Sequence, residues 1–350
     1  MSWLPPDEAE EYDEYDESAI RSRPNPKANR PRTKTRPEYK NAIAGRVFSV
    51  DRGRYGVWVD ENGAASETSP GERQLIATKS RDLGKYSVVT GDWVDLVGDT
   101  SGDEGSLARI IRVQERSTLL RRSADDTDAV ERIIVANADQ MLIVVAAANP
   151  EPRTRLVDRY LVAAFDAGIA PILVITKTDL ADPAEFLANF AGLDLDVIES
   201  RSDDFQVEAV RARLEGHTTV AVGHSGVGKS TLVNALVPEA NRAVGRVNDV
   251  TGRGRHTSSS TVSLRIGTGW IVDTPGVRSF GLGHIDPSNI LRSFTDLAAL
   301  AEDCPRGCTH LPDAPDCAII EGVEGGRLGE LGAQRLESFQ RLITTLGSTS

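Results

Sequence analysis

The stretch Pro171–Leu180, "PILVITKTDL", decides how this chain is read. A short continuous apolar run, suited to a buried parallel strand, breaks into the polar turn "TKTD". A second stretch of the same build comes later: "TTVAV" runs into "GHSGVGKS", Gly223–Ser230, and the helical stretch "STLVNALV" runs out. It fits G-x-x-x-x-G-K-[ST] at Gly223, Gly228, Lys229 and Ser230, with His224, Ser225, Gly226, Val227 and Thr231 completing the cradle. Its glycines let the backbone curl with N–H groups facing phosphates, and the helix N-terminus adds positive potential. Lys229 is expected to reach the β- and γ-phosphates and Ser230 to place its hydroxyl on Mg²⁺.

A third stretch, "DTPG" at Asp273–Gly276, follows the strand "GWIV" forty-three residues after Ser230. Asp273 suits the Mg²⁺ shell, and the Gly276 N–H suits the γ-phosphate. In the "TKTD" turn, Asp179 can accept from guanine N1–H and the 2-amino group together, a charge-assisted pair that adenine cannot offer. Lys177 can lay its stem along the base. Ligands gather at the carboxyl ends of parallel strands, so all three motifs belong on one sheet edge. Their order is base reader, phosphate loop, metal aspartate, a circular permutation of the usual GTPase. The competing reading makes "TKTD" an ordinary strand-to-helix turn.

The chain has 350 residues, room for two or three domains. Its formal net charge of -12 argues against an all-basic surface without excluding a basic patch. No apolar run approaches the roughly 18 residues of a membrane span. The acidic N-terminus is not a signal peptide, so a cytoplasmic protein is expected. Residues 1–40, an acidic run and then a basic, proline-broken run, read as a disordered tail, either a solvating tail or an arm for nucleic acid. Residues 41–119 read as all-β, with Tyr55, Val57 and Val59 on one face and an Asn62-Gly63 turn, suited to an OB-fold barrel. Residues 120–292 alternate strands and helices, an α/β domain of the permuted P-loop kind. Residues 293–350 read as a mainly helical zinc-binding domain, ending in a helix with Leu336, Phe339, Leu342 and Ile343 on one face.

All three cysteines lie in "CPRGCTHLPDAPDC". Cys304, Cys308, His310 and Cys317 make a three-thiolate, one-imidazole set for one structural Zn²⁺, with no position left for catalysis. A tail of about fifty residues has little core of its own, so the metal is expected to contribute much of its folding energy.

Taken together, "GDWV", "ANADQ", "TKTDL", "GHSGVGKSTL", "GRGRHTSSS", "DTPGVRSFGL" and "CPRGCTH…DC" resemble the RsgA (YjeQ) family over nearly everything after Ala42. The resemblance implies a GTPase that turns GTP to GDP, binds the small (30S) ribosomal subunit and its 16S rRNA, and assists late subunit maturation with stimulated hydrolysis. A monomer without membrane association is expected. Val277 stands where many GTPases carry a water-orienting glutamine. In "GRGRHTSSS", Thr257 or Ser258 suits the Mg²⁺ shell, and the resemblance makes His256 the residue assisting hydrolysis. An RNA- or solvent-facing His256 stays open, as do phosphate roles for Arg253 and Arg255. The guanine motif opens with Thr176 where asparagine is commoner, and in "ESRSDD" Ser200 is the candidate for the second guanine-contacting loop. Two other readings remain: a GTP-responsive RNA-binding module with negligible catalysis, and a small-molecule P-loop kinase.

Overall fold

The computed structural model describes residues 41–59, 73–123, 131–238, 261–274, 280, 282–283 and 285–347. The N-terminal tail and the Asn62-Gly63 turn lie outside them.

Five strands come first: β1 (Ile43–Asp51), β2 (Arg54–Val59), β3 (Arg73–Lys79), β4 (Trp93–Gly98) and β5 (Ala108–Val113). They pair in the order β1-β2-β3-β5-β4, and β4 returns to β1, closing a barrel of the OB type. The β1–β2 turn is Arg52-Gly53, both at positive φ (43° and 83°), as a tight hairpin requires. Alternation fills the interior: Tyr55, Val57 and Val59 are buried and meet Val47, Leu75, Leu96 and Ile110. A hairpin follows, β6 (Leu119–Ser123) with β7 (Glu131–Ala136), joined to the barrel by a bridge between Thr90 and Val135.

The second part holds β8 (Gln140–Ala146), α1 (Thr154–Asp166), β9 (Ala170–Thr176), α2 (Ala184–Ala188), β10 (Asp196–Glu199) and α3 (Val207–Leu214). After these come β11 (Thr218–Gly223), α4 (Lys229–Leu236), β12 (Val262–Ile266) and β13 (Gly269–Asp273). Spatial order is β10-β9-β8-β11-β13-β12, all parallel except β12, which runs antiparallel to β13. β8 is buried on both faces. Met141, Ile143 and Val145 pack under α1, while Leu142, Val144 and Ala146 pack toward α3 and α4. Gly168, at φ 68°, ends the α1 turn where its lack of a Cβ permits it.

The last part is helical: α5 (Pro287–Arg292), α6 (Thr295–Ala301), α7 (Ala318–Glu324) and α8 (Gly332–Gly347). Leu336, Phe339, Leu342 and Ile343 of α8 are buried together, as their spacing implies. They are buried in the same cluster as Tyr160, Leu161 and Leu173. The expectation of a tail with little core is corrected here, because these helices complete the hydrophobic core on the α1 face. Arg341 reaches both oxygens of the buried Asp158 at 3.2 Å, and Arg335 pairs with Asp296. Gly192 is needed by close approach, since a Cβ there would meet the Gln334 carbonyl at 2.3 Å.

The barrel continues the α/β sheet directly, because Ser49 of β1 pairs with Val262 of β12. Arg46, 2 % exposed, lies with its guanidinium 5.5 Å from the Trp93 ring and 5.0 Å from the Trp270 ring and donates to Thr218 Oγ1 at 2.6 Å. Trp58 meets the edge of Trp270 across the same joint.

Candidate nucleotide site and cysteine–histidine cluster

The carboxyl ends of β9, β10, β11 and β13 converge on one edge. Gly223 is level with Val144, Ala221 with Asp273, and Glu199 with Ile175. The phosphate loop leaves β11 there and enters α4, with Gly226 and Gly228 at φ 85° and 95°. A Cβ on Gly223 would stand 2.5 Å from the Val144 carbonyl oxygen, so only glycine lets this loop lie against β8. Ser225, Gly226, Ser230 and Thr231 are exposed, with Val227 buried beneath them. The His224 Nδ1 lies 2.9 Å from the Ser225 carbonyl oxygen. Its ring lines a cleft with Pro150, Arg153, Leu156 and Tyr160. The Tyr160 hydroxyl is buried without a hydrogen-bond partner among the described residues, and burial pushes its pKa up to about 12.

Lys229 pairs with Asp273, joining the phosphate-loop cation to the proposed metal carboxylate. Thr274 donates to the Ala221 carbonyl at 2.9 Å and holds the end of β13 beside β11. These residues form a cradle of amides, one ammonium, one hydroxyl at Ser230 and one carboxylate. That donor set fits a nucleotide phosphate chain with its Mg²⁺.

The base-reading turn is fastened to this cradle. Thr176, 0 % exposed, donates its hydroxyl to the Val227 carbonyl at 2.6 Å. The threonine that departs from the usual asparagine therefore bridges the two loops through its hydroxyl. Lys177, at φ 60°, donates to the Gly226 carbonyl at 2.9 Å and to that of Asn149. Asp179 is exposed, and its Oδ1 accepts the Ser202 amide at 2.6 Å. That bond holds its carboxyl below the usual carboxylate range, leaving an anion with free lone pairs for a donor edge. Ser200 is buried, and its hydroxyl donates to the Asp204 carbonyl at 3.2 Å. The residue meeting Asp179 is thus Ser202, through its main chain, which side-chain reasoning passes over. Phe205 was missed as well. Its ring edge lies 3.6 Å from where a Gly228 Cβ would stand, beside the phosphate loop.

His256, Thr257 and Gly276 lie outside the described residues, as do Arg253, Arg255, Ser258 and Val277.

Away from this edge, Cys304, Cys308, His310 and Cys317 hold their ligand atoms within 4.8 Å of one another. Cys304 and Cys317 sulfurs are 3.9 Å apart, and His310 Nδ1 is 3.7 Å and 3.6 Å from them. Tetrahedral Zn²⁺ with Zn–S of about 2.3 Å and Zn–N of about 2.05 Å implies S–S and S–N edges of roughly 3.8 Å and 3.5 Å. The donors present fit that ion. Burial raises the Cys317 thiol to about 11 and lowers the His310 pKa. The Gln340 side chain donates to the His310 carbonyl at 2.9 Å, tying the cluster to α8.

A phosphate loop, a base-reading turn and an acidic strand end on one edge, met in permuted order, define a circularly permuted P-loop domain of the GTPase type. A model of the family described as RsgA GTPase matches residues 113–283. "Small ribosomal subunit biogenesis GTPase RsgA" of Pseudomonas syringae pv. tomato is 37% identical over 296 residues, covering 79% of this chain and 83% of that protein. The protein of the same name from Pseudomonas aeruginosa strain LESB58 is 35% identical, covering 75% of this chain and 77% of that one. Among solved structures, YjeQ from Thermotoga maritima superposes with a TM-score of 0.62 at 25% identity, over 87% of this chain and 99% of that one. YloQ, described as a circularly permuted GTPase, gives a TM-score of 0.61 at 25% identity, over 88% and 96%. The chain belongs to the RsgA GTPase family.

Proposed function

We propose that this protein hydrolyses GTP to GDP and phosphate on the small (30S) ribosomal subunit and assists late maturation of that subunit. The observation that supports the reading most directly is the Thr176–Val227 hydrogen bond, which ties the proposed base-reading turn to the phosphate loop. The small-subunit partner rests on the names of the relatives. Asp179 selects guanine, with Lys177 along the base; Ser200 positions the second loop through its main chain. The amides from Gly223 to Thr231 hold the phosphates, and Lys229 reaches the β- and γ-phosphates. Ser230, Asp273 and Thr257 are the proposed Mg²⁺ ligands, and the ion would supply charge neutralisation to the phosphates. The Gly276 amide senses the γ-phosphate, and His256 assists attack by water.

Cys304, Cys308, His310 and Cys317 are proposed to hold one structural Zn²⁺. The barrel and helical region are proposed to meet 16S rRNA through phosphates and shape. None of the described helices is long and apolar enough to cross a membrane. A cytoplasmic monomer is the proposed state.

The test is GTP turnover by the purified protein alone, with purified small subunits and with large ones. Stimulation by small subunits only is expected. GTP-dependent subunit binding without turnover would make the chain a non-catalytic RNA-binding module. Turnover indifferent to either subunit would remove the partner while leaving the GTPase.

A further inference from the structure

The Thr90–Asp92 turn, "TGD", is a junction of three pieces of chain. Thr90 is 1 % exposed, and its carbonyl accepts the Ala136 amide of β7 at 3.0 Å. The Gly91 amide donates to the Val47 carbonyl of β1 at 2.8 Å, and the Asn137 side chain donates to the Gly91 carbonyl at 3.0 Å. Gly91 stands at φ 91° with the Ala136 carbonyl oxygen 2.0 Å from where a Cβ would be, so no other residue fits. Asp92, 0 % exposed, takes Arg116 at 2.6 Å and 2.8 Å and the Val89 amide at 2.8 Å.

From this immobilised turn the Thr90 hydroxyl reaches out of the barrel and donates to the Thr261 carbonyl at 3.2 Å. Thr261 follows His256 by five residues and Thr257 by four. The next residue, Val262, pairs with Ser49 of the barrel on one side and with Asp273 on the other. Asp273 in turn pairs with Ala221 on the strand feeding the phosphate loop. The row Ser49, Val262, Asp273, Ala221 thus runs from barrel to phosphate-loop strand, and Thr90 fastens the chain at its entry to that row.

We propose that Thr90 is a positioning residue for GTP hydrolysis, fixing where the segment that carries His256 and Thr257 joins the sheet, level with Asp273, and so tying that segment to the barrel. The proposal rests on the GTPase reading above. Thr90 acts through the Thr261 carbonyl, so its removal acts on the placement of other residues. Losing one part-buried hydroxyl bond corresponds to about a five- to tenfold fall in rate if it is felt only at the transition state.

The experiment compares the full chain with Thr90→Val, which keeps shape and loses the hydroxyl, and Thr90→Ser, which keeps the hydroxyl. Three quantities are read: small-subunit-stimulated kcat and KM for GTP, GDP affinity, and tryptic cleavage at Arg253 and Arg255 in nucleotide-bound protein. Thr90→Val is expected to lower kcat about five- to tenfold, with KM and GDP affinity within about twofold of the native chain. It is expected to speed cleavage at the two arginines, and Thr90→Ser to restore both. Native kcat in Thr90→Val would overturn the proposal. So would a loss shared equally by GDP affinity and thermal stability, which marks a purely structural role. If the native chain shows no turnover, the GTPase reading fails by itself, and the cleavage comparison still decides whether Thr90 anchors the segment.

Discussion

Thr176→Val is the sharpest perturbation of the nucleotide site. Valine matches threonine in shape, and the β8–β9 pairing of Ala146 with Thr176 is a main-chain contact that stays. What goes is the 2.6 Å bond to the Val227 carbonyl and a weaker one of 3.3 Å to the Val145 carbonyl. Thr176 is 0 % exposed, so water does not replace the hydroxyl. Stranding a buried acceptor costs about 1–3 kcal/mol. Part of that appears as a lower Tm. The rest appears as weaker nucleotide binding, because the ligand must then hold together two loops that the protein no longer joins. GDP affinity, measured with a fluorescent analogue, is expected to fall roughly five- to fiftyfold, at 1.4 kcal/mol per decade. Thr176→Ser and Thr176→Asn, which both keep a donor, are expected to bind within a few-fold of the native chain. Native GDP affinity in Thr176→Val would show that the bridge is incidental, and a loss equal in all three variants would trace to packing instead.

Asp179→Asn keeps an oxygen for the Ser202 amide but removes the charge proposed to face guanine; GDP binding should weaken while binding of a xanthine nucleotide improves, seen by competition titration. Arg341→Met leaves Asp158 buried without its partner and should lower stability by about 3–5 kcal/mol, largely recovered by adding Asp158→Asn, as urea melts would record. Burial already raises the Asp158 carboxyl against the pull of Arg341. In Arg341→Met it rises further, so folding favours the protonated form, and the deficit should shrink as pH falls below that raised value and be full above it. Cys308→Ser should reduce bound zinc, measured by elemental analysis, and loosen α7 and α8 in hydrogen exchange. Because those helices share the α1 core, GDP binding should persist. Substoichiometric zinc in the native chain would remove the metal reading.

Much of the site was legible because it is written locally. Each motif in "TKTD", "GHSGVGKS" and "DTPG" follows its own apolar strand, and a parallel sheet brings strand ends together whatever their order in the chain. The cysteine cluster was legible for a similar reason: four donors within fourteen residues leave little else to assemble. What stayed hidden depends on contacts across the fold. Nothing near Thr176 in sequence announces Val227, fifty-one residues away. The Ser202 amide is a main-chain group, silent in any reading of side-chain types. The helical tail looked poor in core because its partners, Tyr160 and Leu161, belong to α1. Nothing in the sequence around Arg46 marks it, and only the meeting of barrel and sheet brings it to the Trp93 and Trp270 rings.

The place of β8 carries a consequence for synthesis. It pairs with β9 on one side, but its other edge waits for β11, with Gln140 and Thr219 paired across seventy-nine residues. At roughly 5–20 residues per second, a ribosome exposes that largely apolar strand for about 4–16 s before its partner exists. A conventionally ordered domain makes its central phosphate-loop strand early; here it comes late. The nascent chain therefore passes through a stage open to strand-edge aggregation, where a chaperone has the most to protect.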